Sequence, residues 1–199
     1  MKTVLVTGGT IGIGKAISSR LREHGWKVLS VSHRADSGAD YIVDFTDKKA
    51  FLQFANDLPI KEIDAIVNNA GLLIGDKDAL VMVNLTAPTF LTEVMAKYRE
   101  RGAVVNLLDL AAEKNDYGYT KLALMLKTID QAKAHPNIRV NGVAPGPISL
   151  PEGEHLKAPK RVLKRRATSE DVAEAVEFLL NTESITGHII PVDGGASIL

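Results

Sequence analysis

The chain contains no cysteine. This absence excludes disulfide bonds, thiolate metal sites and thiol catalysis together, and it is compatible with a reducing compartment. The five histidines are scattered along the chain without the spacing of metal ligands, so we expect no catalytic metal.

An excess of either charge is also lacking, because 24 Lys and Arg balance 24 Asp and Glu. Without a net positive field, neither nucleic acid nor an anionic membrane is an expected partner, and a small-molecule substrate is favoured. The apolar run at residues 2–7 is too short, and too soon interrupted by glycine, for a signal peptide or a membrane span. We therefore expect a cytoplasmic protein.

Short runs rich in Val and Ile alternate with longer segments of helical period, which predicts an α/β fold. We expect one domain over residues 1–199, with a seven-stranded parallel sheet and helices on both faces. The predicted strands are 2–7, 27–32, 41–43, 65–68, 103–108, 139–144 and 189–192, and the predicted helices are 12–24, 48–57, 79–99, 117–134 and 169–180.

Residues 147–167 contain three prolines and six lysines or arginines without a clear period. This composition predicts a loop or lid over the substrate or cofactor. Its basic run at 157–166 is either a solvated face or a flap over a bound cofactor.

A glycine-rich turn at residues 7–14 joins the first strand to the first helix. Gly8 permits a tight turn, Gly12 lets the backbone approach a pyrophosphate, and Gly14 lets the helix pack against the sheet, with Thr10 and Ile13 alongside. The start of the helix offers free N–H groups to phosphates. Strand, turn and helix together predict a doubly wound Rossmann-type domain that binds a dinucleotide.

The end of the second strand indicates which dinucleotide is bound. Sites for NAD commonly have an acidic residue here, whereas this chain has Ser32, His33 and Arg34. The guanidinium of Arg34 suits the ribose 2′-phosphate, so NADP(H) is the preferred cofactor. In the alternative, Arg34 is a surface residue and Asp36 bonds the ribose, which makes NAD(H) possible.

The whole chain resembles the short-chain dehydrogenase/reductase family. The family motifs are matched by Thr-Gly-x-x-x-Gly-x-Gly at 7–14, Asn-Asn-Ala-Gly at 68–71, Asn84, Tyr-x-x-x-Lys at Tyr117 and Lys121, Pro-Gly at 145–146 and Asp-Gly-Gly at 193–195. The resemblance implies that the adenine borders Asp44 and Phe45, the adenosine ribose borders Asn68, the nicotinamide borders Pro145, Gly146 and Ile148, and that Ala70 and Gly71 also bind the cofactor.

Tyr117 and Lys121 are four residues apart, so they lie on one helical face. A free tyrosine titrates near ~10, and a neighbouring ammonium is expected to bring the pKa of Tyr117 toward neutrality. The resemblance implies that Tyr117 protonates the product while the cofactor gives up hydride. It also implies that Lys121 bonds the nicotinamide ribose and that Asn84 holds a water linking the lysine to solvent.

Most family members have a serine after the fifth strand, where this chain has Asp109. A carboxylate accepts hydrogen bonds only, so it suits a substrate with N–H donors. Pteridine reductases are similar in having aspartate at this place, which implies a pterin-like C=N substrate. Alternatively, Asp109 is a polar strand end and the substrate is a simple ketone, aldehyde or sugar.

Another alternative is a non-catalytic NADP-binding sensor or scaffold. The resemblance also implies a homodimer or homotetramer.

Overall fold

The computed structural model describes residues 1–110, 115–148 and 160–199. Its seven strands are β1 (Thr3–Thr7), β2 (Lys27–Ser32), β3 (Tyr41–Ile42), β4 (Ala65–Asn68), β5 (Gly102–Leu107), β6 (Ile138–Pro145) and β7 (Ile189–Val192). They form one parallel sheet in the order β3-β2-β1-β4-β5-β6-β7. The predicted α/β fold, with a seven-stranded parallel sheet, is confirmed.

The helices are α1 (Gly12–Glu23), α2 (Lys48–Asp57), α3 (Lys77–Val81), α4 (Ala87–Tyr98), α5 (Asp116–Ala134) and α6 (Ser169–Asn181). A π turn at Met82–Thr86 joins α3 to α4. Short 3-10 turns occupy Ile60–Glu62 and Ala196–Ile198. A capping box begins α6, because the side chain of Thr168 accepts from the backbone N–H of Asp171 and the Asp171 carboxylate accepts from the backbone N–H of Thr168.

The predicted helix 79–99 differs from the structure at its start and in its middle. It begins two residues earlier, because Asp76 caps it by accepting from the backbone N–H of Ala79. The π turn then inserts one extra residue into the helical ladder, which periodicity does not reveal. The turn contains Asn84, and such turns are frequent at functional sites.

Side chains of successive strand residues enter different cores, as the two-residue period of a strand requires. Val4 and Val6 pack with α1 and α6 on one face, whereas Leu5 packs with α2 and α4 on the other. Both faces of the central strands are therefore buried, which explains their nearly continuous apolar sequences.

The helix from Lys77 to Tyr98 is long and apolar enough to match a membrane span by length and composition alone. Its segment of highest hydropathy is 44% buried within the protein. Leu91 and Met95 belong to the core beneath the sheet, as expected for the core helix of a globular domain.

The order of the strands determines where a ligand binds. The chain moves outward from β1 to β2 and β3, then returns to place β4 on the other side of β1. The loops after β1 and β4 consequently diverge and leave a crevice at the carboxyl edge of the sheet, where ligands of such folds bind. Within the predicted lid 147–167, residues 149–159 lie outside the described residues.

Candidate active site

The glycine turn brings the end of β1 against the start of α1. Gly8 and Gly12 have φ of +63° and +52°, in the region that favours glycine. A Cβ on Gly14 would lie only 2.0 Å from the carbonyl oxygen of Gly8. Ile11 caps α1 without a side-chain hydrogen bond, so the first N–H groups of the helix are not satisfied by a capping side chain. These groups suit a phosphate.

Thr7 and Asn69 tie this turn to the loop that follows β4. The hydroxyl oxygen of Thr7 accepts from the backbone N–H of Asn69 and of Ala70, both at 3.0 Å. The Asn69 Nδ2 donates to the carbonyl oxygens of Thr7 and Gly8, also at 3.0 Å. The two walls of the crevice are thus held together by hydrogen bonds, and Asn69 has a positioning role that the sequence interpretation did not assign.

A cleft of about 470 Å³ opens between these walls, which is large enough for a small-molecule ligand. Eleven of the predicted cofactor-binding residues line it: Gly8, Thr10, Ile13, Gly14, His33, Arg34, Asp44, Phe45, Ala70, Gly71 and Ile148. Eight further lining residues were not predicted: Ile11, Val31, Ser32, Val43, Thr46, Asn69, Leu72 and Val83. Several of these adjoin predicted residues at strand ends, so the rule that ligands bind at the carboxyl edge could have found them.

The β2 end of the cleft carries the cationic groups. The backbone N–H of Arg34 donates to the Ser32 hydroxyl at 3.1 Å, while its guanidinium lies 3.6 Å from Asp36 on the surface. Asp44 accepts from the backbone and hydroxyl of Thr46, and these hydrogen bonds lower the pKa of Asp44. Because the Arg34 side chain is half-exposed, its exposed pair with Asp36 is weak and leaves it able to turn toward an anion.

Six predicted cofactor-binding residues are not among those lining the cleft: Gly12, Asn68, Tyr117, Lys121, Pro145 and Gly146. Asn68 is buried, and its Nδ2 donates to Asn106 Oδ1 at 2.8 Å, because strand alternation directs this side chain into the sheet face covered by α4. Gly12 has a positive φ, and a Cβ there would meet no protein atom within 4 Å, so its backbone is open to the approach of a ligand. The contacts of Asn68 and Gly12 with a cofactor stay predictions.

Pro145 and Gly146 also lie outside the lining of the cleft. The N–H of Gly146 donates to the carbonyl oxygen of Val192 at 3.0 Å, and a Cβ there would lie 2.7 Å from the Cβ of Asp193. The Pro-Gly pair therefore lets the end of β6 pack against the C-terminal Asp-Gly-Gly turn. The predicted contact of Pro145 and Gly146 with the nicotinamide stays a prediction.

The catalytic candidates meet where β5 ends. Tyr117 lies in the first turn of α5, and its hydroxyl donates to Asp109 Oδ2 at 3.2 Å. One turn later, the buried Lys121 donates from Nζ to the carbonyl oxygen of Leu107 at 2.9 Å and lies 5.9 Å from the ring centroid of Tyr117. The carboxylate that replaces the family serine is thus in direct contact with the tyrosine, although only eight positions separate them in sequence.

The electrostatics of this group differ from the expectation. Burial, the charge of Asp109 and the hydrogen bond to it all raise the pKa of Tyr117. Burial also lowers the pKa of Lys121 to about 8, against the opposing effect of Asp109. The prediction that Lys121 lowers the pKa of Tyr117 is wrong for this arrangement, because the carboxylate contacts the phenol directly while the ammonium is bound to Leu107.

Asn84 links the cleft to the catalytic helix. Its Oδ1 accepts from the N–H of Leu72 at 2.8 Å, and its Nδ2 donates to the carbonyl oxygen of Leu72 at 2.8 Å and to Thr120 at 3.2 Å. Both amide hydrogens are therefore used within the protein. Asn84 positions Leu72 and α5, and the water relay implied for it stays a prediction.

No group of three or more His, Asp or Glu suitable for a metal ion occurs in residues 1–110, 115–148 and 160–199. The site consists of a glycine turn, the hydrogen bonds of the Asn69 and Asn84 side-chain amides, and a tyrosine, a lysine and a carboxylate at one edge of the sheet. Such an arrangement is typical of a nucleotide-binding oxidoreductase domain, with Tyr117 as a candidate proton donor.

Comparison with known proteins assigns this class to a family. Residues 8–197 match the family model described as enoyl-(acyl carrier protein) reductase. The 3-oxoacyl-[acyl-carrier-protein] reductase of Thermotoga maritima is 31% identical, covering 99% of this chain and 98% of that protein. Carbonyl reductase family member 4 of Xenopus tropicalis is also 31% identical, with coverage of 99% and 98%.

Solved structures of short-chain dehydrogenases resemble this chain over almost its full length. A short chain dehydrogenase/reductase family protein superposes with a TM-score of 0.85 at 31% identity, covering 100% of this chain and 98% of that one. A short chain dehydrogenase from Burkholderia cenocepacia in complex with NADP has a TM-score of 0.87 at 27% identity, covering 98% and 97%. The chain belongs to the short-chain dehydrogenase/reductase family and is an oxidoreductase.

The alignment with the Thermotoga protein runs over 241 positions, although this chain has only 199 residues. The missing positions are gaps within an otherwise complete match. This chain is therefore a shortened member of the family.

Proposed function

We propose that the protein is an NADPH-dependent reductase that acts on a carbonyl or a C=N bond of a small substrate, with Tyr117 as the proton donor. The contact between the Tyr117 hydroxyl and Asp109 carries this proposal, because it holds a protonated donor at the carboxyl edge of the sheet. The cleft beside it offers a phosphate-binding turn and a cationic end.

The residues of the cleft fit NADP(H). The turn at Gly8 and Gly14 leaves no space for a side chain, as close backbone packing beside a pyrophosphate requires. Arg34 and His33 would hold the 2′-phosphate, and Phe45 would border the adenine. NADPH supplies hydride when it is bound. The NADP complex of the Burkholderia relative supports this choice over NAD(H).

Tyr117 is protonated at neutral pH, which is the form that reduction needs. Its raised pKa also makes the phenol a weak acid, so proton transfer requires that pKa to fall when substrate and cofactor bind. Asp109 orients the hydroxyl by accepting from it, and a substrate oxygen or nitrogen would replace Asp109 as the acceptor. Lys121 supplies a buried ammonium near the same ring.

Two kinds of substrate have support from different observations. The Thermotoga and Xenopus relatives are named as 3-oxoacyl and carbonyl reductases, which supports a ketone or another simple carbonyl compound. The carboxylate of Asp109 beside Tyr117 supports a pterin, whose ring N–H groups could donate to it. A pterin would therefore need Asp109, whereas a ketone would need only Tyr117 and Lys121.

The test follows the loss of NADPH absorbance with dihydrobiopterin, acetoacetyl-N-acetylcysteamine and a panel of simple ketones, aldehydes and sugars. We expect Tyr117→Phe to lower kcat by about 1,000-fold. Tyr119→Phe is the matched control, because Tyr119 lies on the same helix with its side chain exposed. Turnover that survives in Tyr117→Phe would contradict the proposal, and NADPH binding without any turnover would favour a sensor.

We also propose a homo-oligomer. Leu122 and Leu126 lie four residues apart on α5 and are exposed, so they offer an apolar strip that a second copy could cover. Light scattering after size exclusion should give a mass of at least two chains. A monomer at micromolar concentration would contradict this.

A further inference from the structure

Residues 160–166, here named the basic segment, read Lys-Arg-Val-Leu-Lys-Arg-Arg and contain five cations and no acid. The proposed reaction uses none of them. The segment precedes α6 and is largely exposed. Its concentration of charge is therefore a feature that the proposed function has not explained.

The basic segment is held in place by the C-terminal turn and by α6. The N–H of Leu163 donates to the carbonyl oxygen of Gly194 at 2.9 Å. The guanidinium of Arg161 donates to the carbonyl oxygens of Lys164 and Arg165 and so folds the segment upon itself. Arg165 forms an ion pair with Asp171 at 2.8 Å. These contacts give the positive charges a defined location.

Much of this charge is not neutralised by neighbouring carboxylates. The pair with Arg165 lowers the pKa of Asp171 to about 2, so that cation is balanced. Lys160 and Lys164 are exposed and form no ion pair within the part of the chain that the structure describes. A positive surface therefore remains available to an anion.

Sheet geometry places the basic segment on the substrate side of the site. It packs on Gly194 and Gly195, directly after β7, and β7 lies two strands from β5, which precedes Asp109. Two strand spacings are about 10 Å. Five spacings, about 24 Å, separate β7 from β2, where Arg34 lies. The segment is too far from that end to share the 2′-phosphate.

We infer that the natural substrate carries an anionic tail remote from the bond that is reduced, and that the basic segment binds the phosphates or carboxylates of this tail. The inference rests on the proposed reductase function and narrows its substrate class. It applies to both candidates, because a ketone can be carried on a phosphorylated thioester and a pterin on a glutamate chain.

The test compares two pairs of substrates that differ in the tail alone or chiefly in the tail. Acetoacetyl-coenzyme A has phosphates that acetoacetyl-N-acetylcysteamine lacks, and dihydrofolate has a glutamate that dihydrobiopterin lacks. The effect is expected in the pair that the wild type reduces faster. In Lys160→Gln/Lys164→Gln we expect KM for the substrate with the anionic tail to rise about fivefold at low salt. KM for the substrate without the tail should be unchanged. The difference should shrink as salt is added.

Lys61→Gln/Lys133→Gln is the matched control. It removes the same charge from two exposed positions that adjoin the amino ends of β4 and β6, at the opposite edge of the sheet. This control should leave all KM values unchanged. NADPH affinity, measured by fluorescence, should be the same in the wild type and in both double variants.

Each result decides one point. An effect confined to the coenzyme A pair identifies a phosphate tail, and one confined to the folate pair identifies a carboxylate tail. Equal changes for tailed and tailless substrates, no change at all, or a loss of NADPH affinity would overturn the inference. If no substrate is reduced, the proposed function fails. Calorimetry with coenzyme A and with folate then tests the basic segment directly. Weaker binding in Lys160→Gln/Lys164→Gln than in the wild type supports the inference, and unchanged or absent binding overturns it.

Discussion

The two ends of the site are built from different parts of the polypeptide. At the glycine turn, the geometry comes from the backbone, with positive φ angles and hydrogen bonds from Asn69 to main-chain oxygens. At the catalytic end, the pKa values of Tyr117 and Lys121 depend on burial and on the nearby carboxylate of Asp109. The glycine turn, here the backbone-built end, is specified by local sequence. The group of Tyr117, Lys121 and Asp109, here the charge-built end, is specified by burial and by the tertiary contacts of these side chains.

The substitution Gly14→Ala should have the strongest effect, because it disrupts the glycine turn at the backbone-built end. In Gly14→Ala the new Cβ would lie 2.0 Å from the Gly8 oxygen and 2.5 Å from Asn69 Nδ2, so the turn must open. We expect NADPH affinity to fall by about 100-fold or more, and the free energy of unfolding to fall by about 3 kcal/mol. Fluorescence titration and urea denaturation measure the two.

Gly102→Ala is the control for this substitution. Its Cβ would meet chiefly the flexible Met95 side chain, away from the cleft. It should lose some stability and keep NADPH affinity. Equal NADPH affinity in Gly14→Ala and the wild type would mean that the turn does not bind the cofactor.

At the charge-built end, a substitution that removes function should raise stability, whereas Gly14→Ala should lower both. Lys121 is buried with its pKa lowered to about 8, so its charge is unfavourable in the folded state. We expect Lys121→Met to abolish turnover yet raise the free energy of unfolding at pH 7 by about 2 kcal/mol. Chemical denaturation without cofactor measures this gain, and a large loss of stability would contradict it.

The same pKa predicts a pH dependence. Between pH 8 and 10.5 the folded protein has largely released the Lys121 proton while the unfolded chain still holds it. Because the unfolded state then binds more protons, wild-type stability should rise with pH across this interval relative to Lys121→Met. A constant difference between the two proteins would mean that Lys121 titrates normally.

A smaller effect is expected at the cationic end of the cleft. The exposed guanidinium of Arg34 is screened by solvent, so Arg34→Ala should weaken NADPH binding by about tenfold. NADH binding should change little, because NADH lacks the 2′-phosphate. Equal losses for both nucleotides would show that Arg34 does not meet the phosphate.

The smallest expected effect is that of Asp109→Asn, which alters the hydrogen bond between Tyr117 and residue 109. Asp109→Asn keeps the shape of the side chain and removes its charge, so the pKa of Tyr117 should fall. Ultraviolet difference titration against Tyr117→Phe in each background isolates this residue. If a pterin is the substrate, its turnover should also fall while NADPH affinity stays the same. An unchanged tyrosine pKa would mean that burial alone raises it.

Prediction from the sequence succeeded where the signal is local. The strands β2, β4 and β7 were predicted to the residue, because runs of Val and Ile bounded by turn residues are read directly along the chain. Gly14 was interpreted correctly as a point of close packing. The alternation of β4 points the side chain of Asn68 toward Asn106, which the motif alone does not reveal, and its predicted contact with the adenosine ribose stays a prediction.

The α/β fold, the glycine turn after β1 and the common helical face of Tyr117 and Lys121 could all be predicted from the amino-acid sequence. These features follow from periodicity and from the conformations that glycine and helices permit. Three contacts come from tertiary packing. Tyr117 donates to Asp109, Lys121 donates to the carbonyl oxygen of Leu107, and Asn84 joins Leu72 to Thr120 of α5. Burial and contacts between distant residues set charge and hydrogen bonding, and neither is encoded in local spacing.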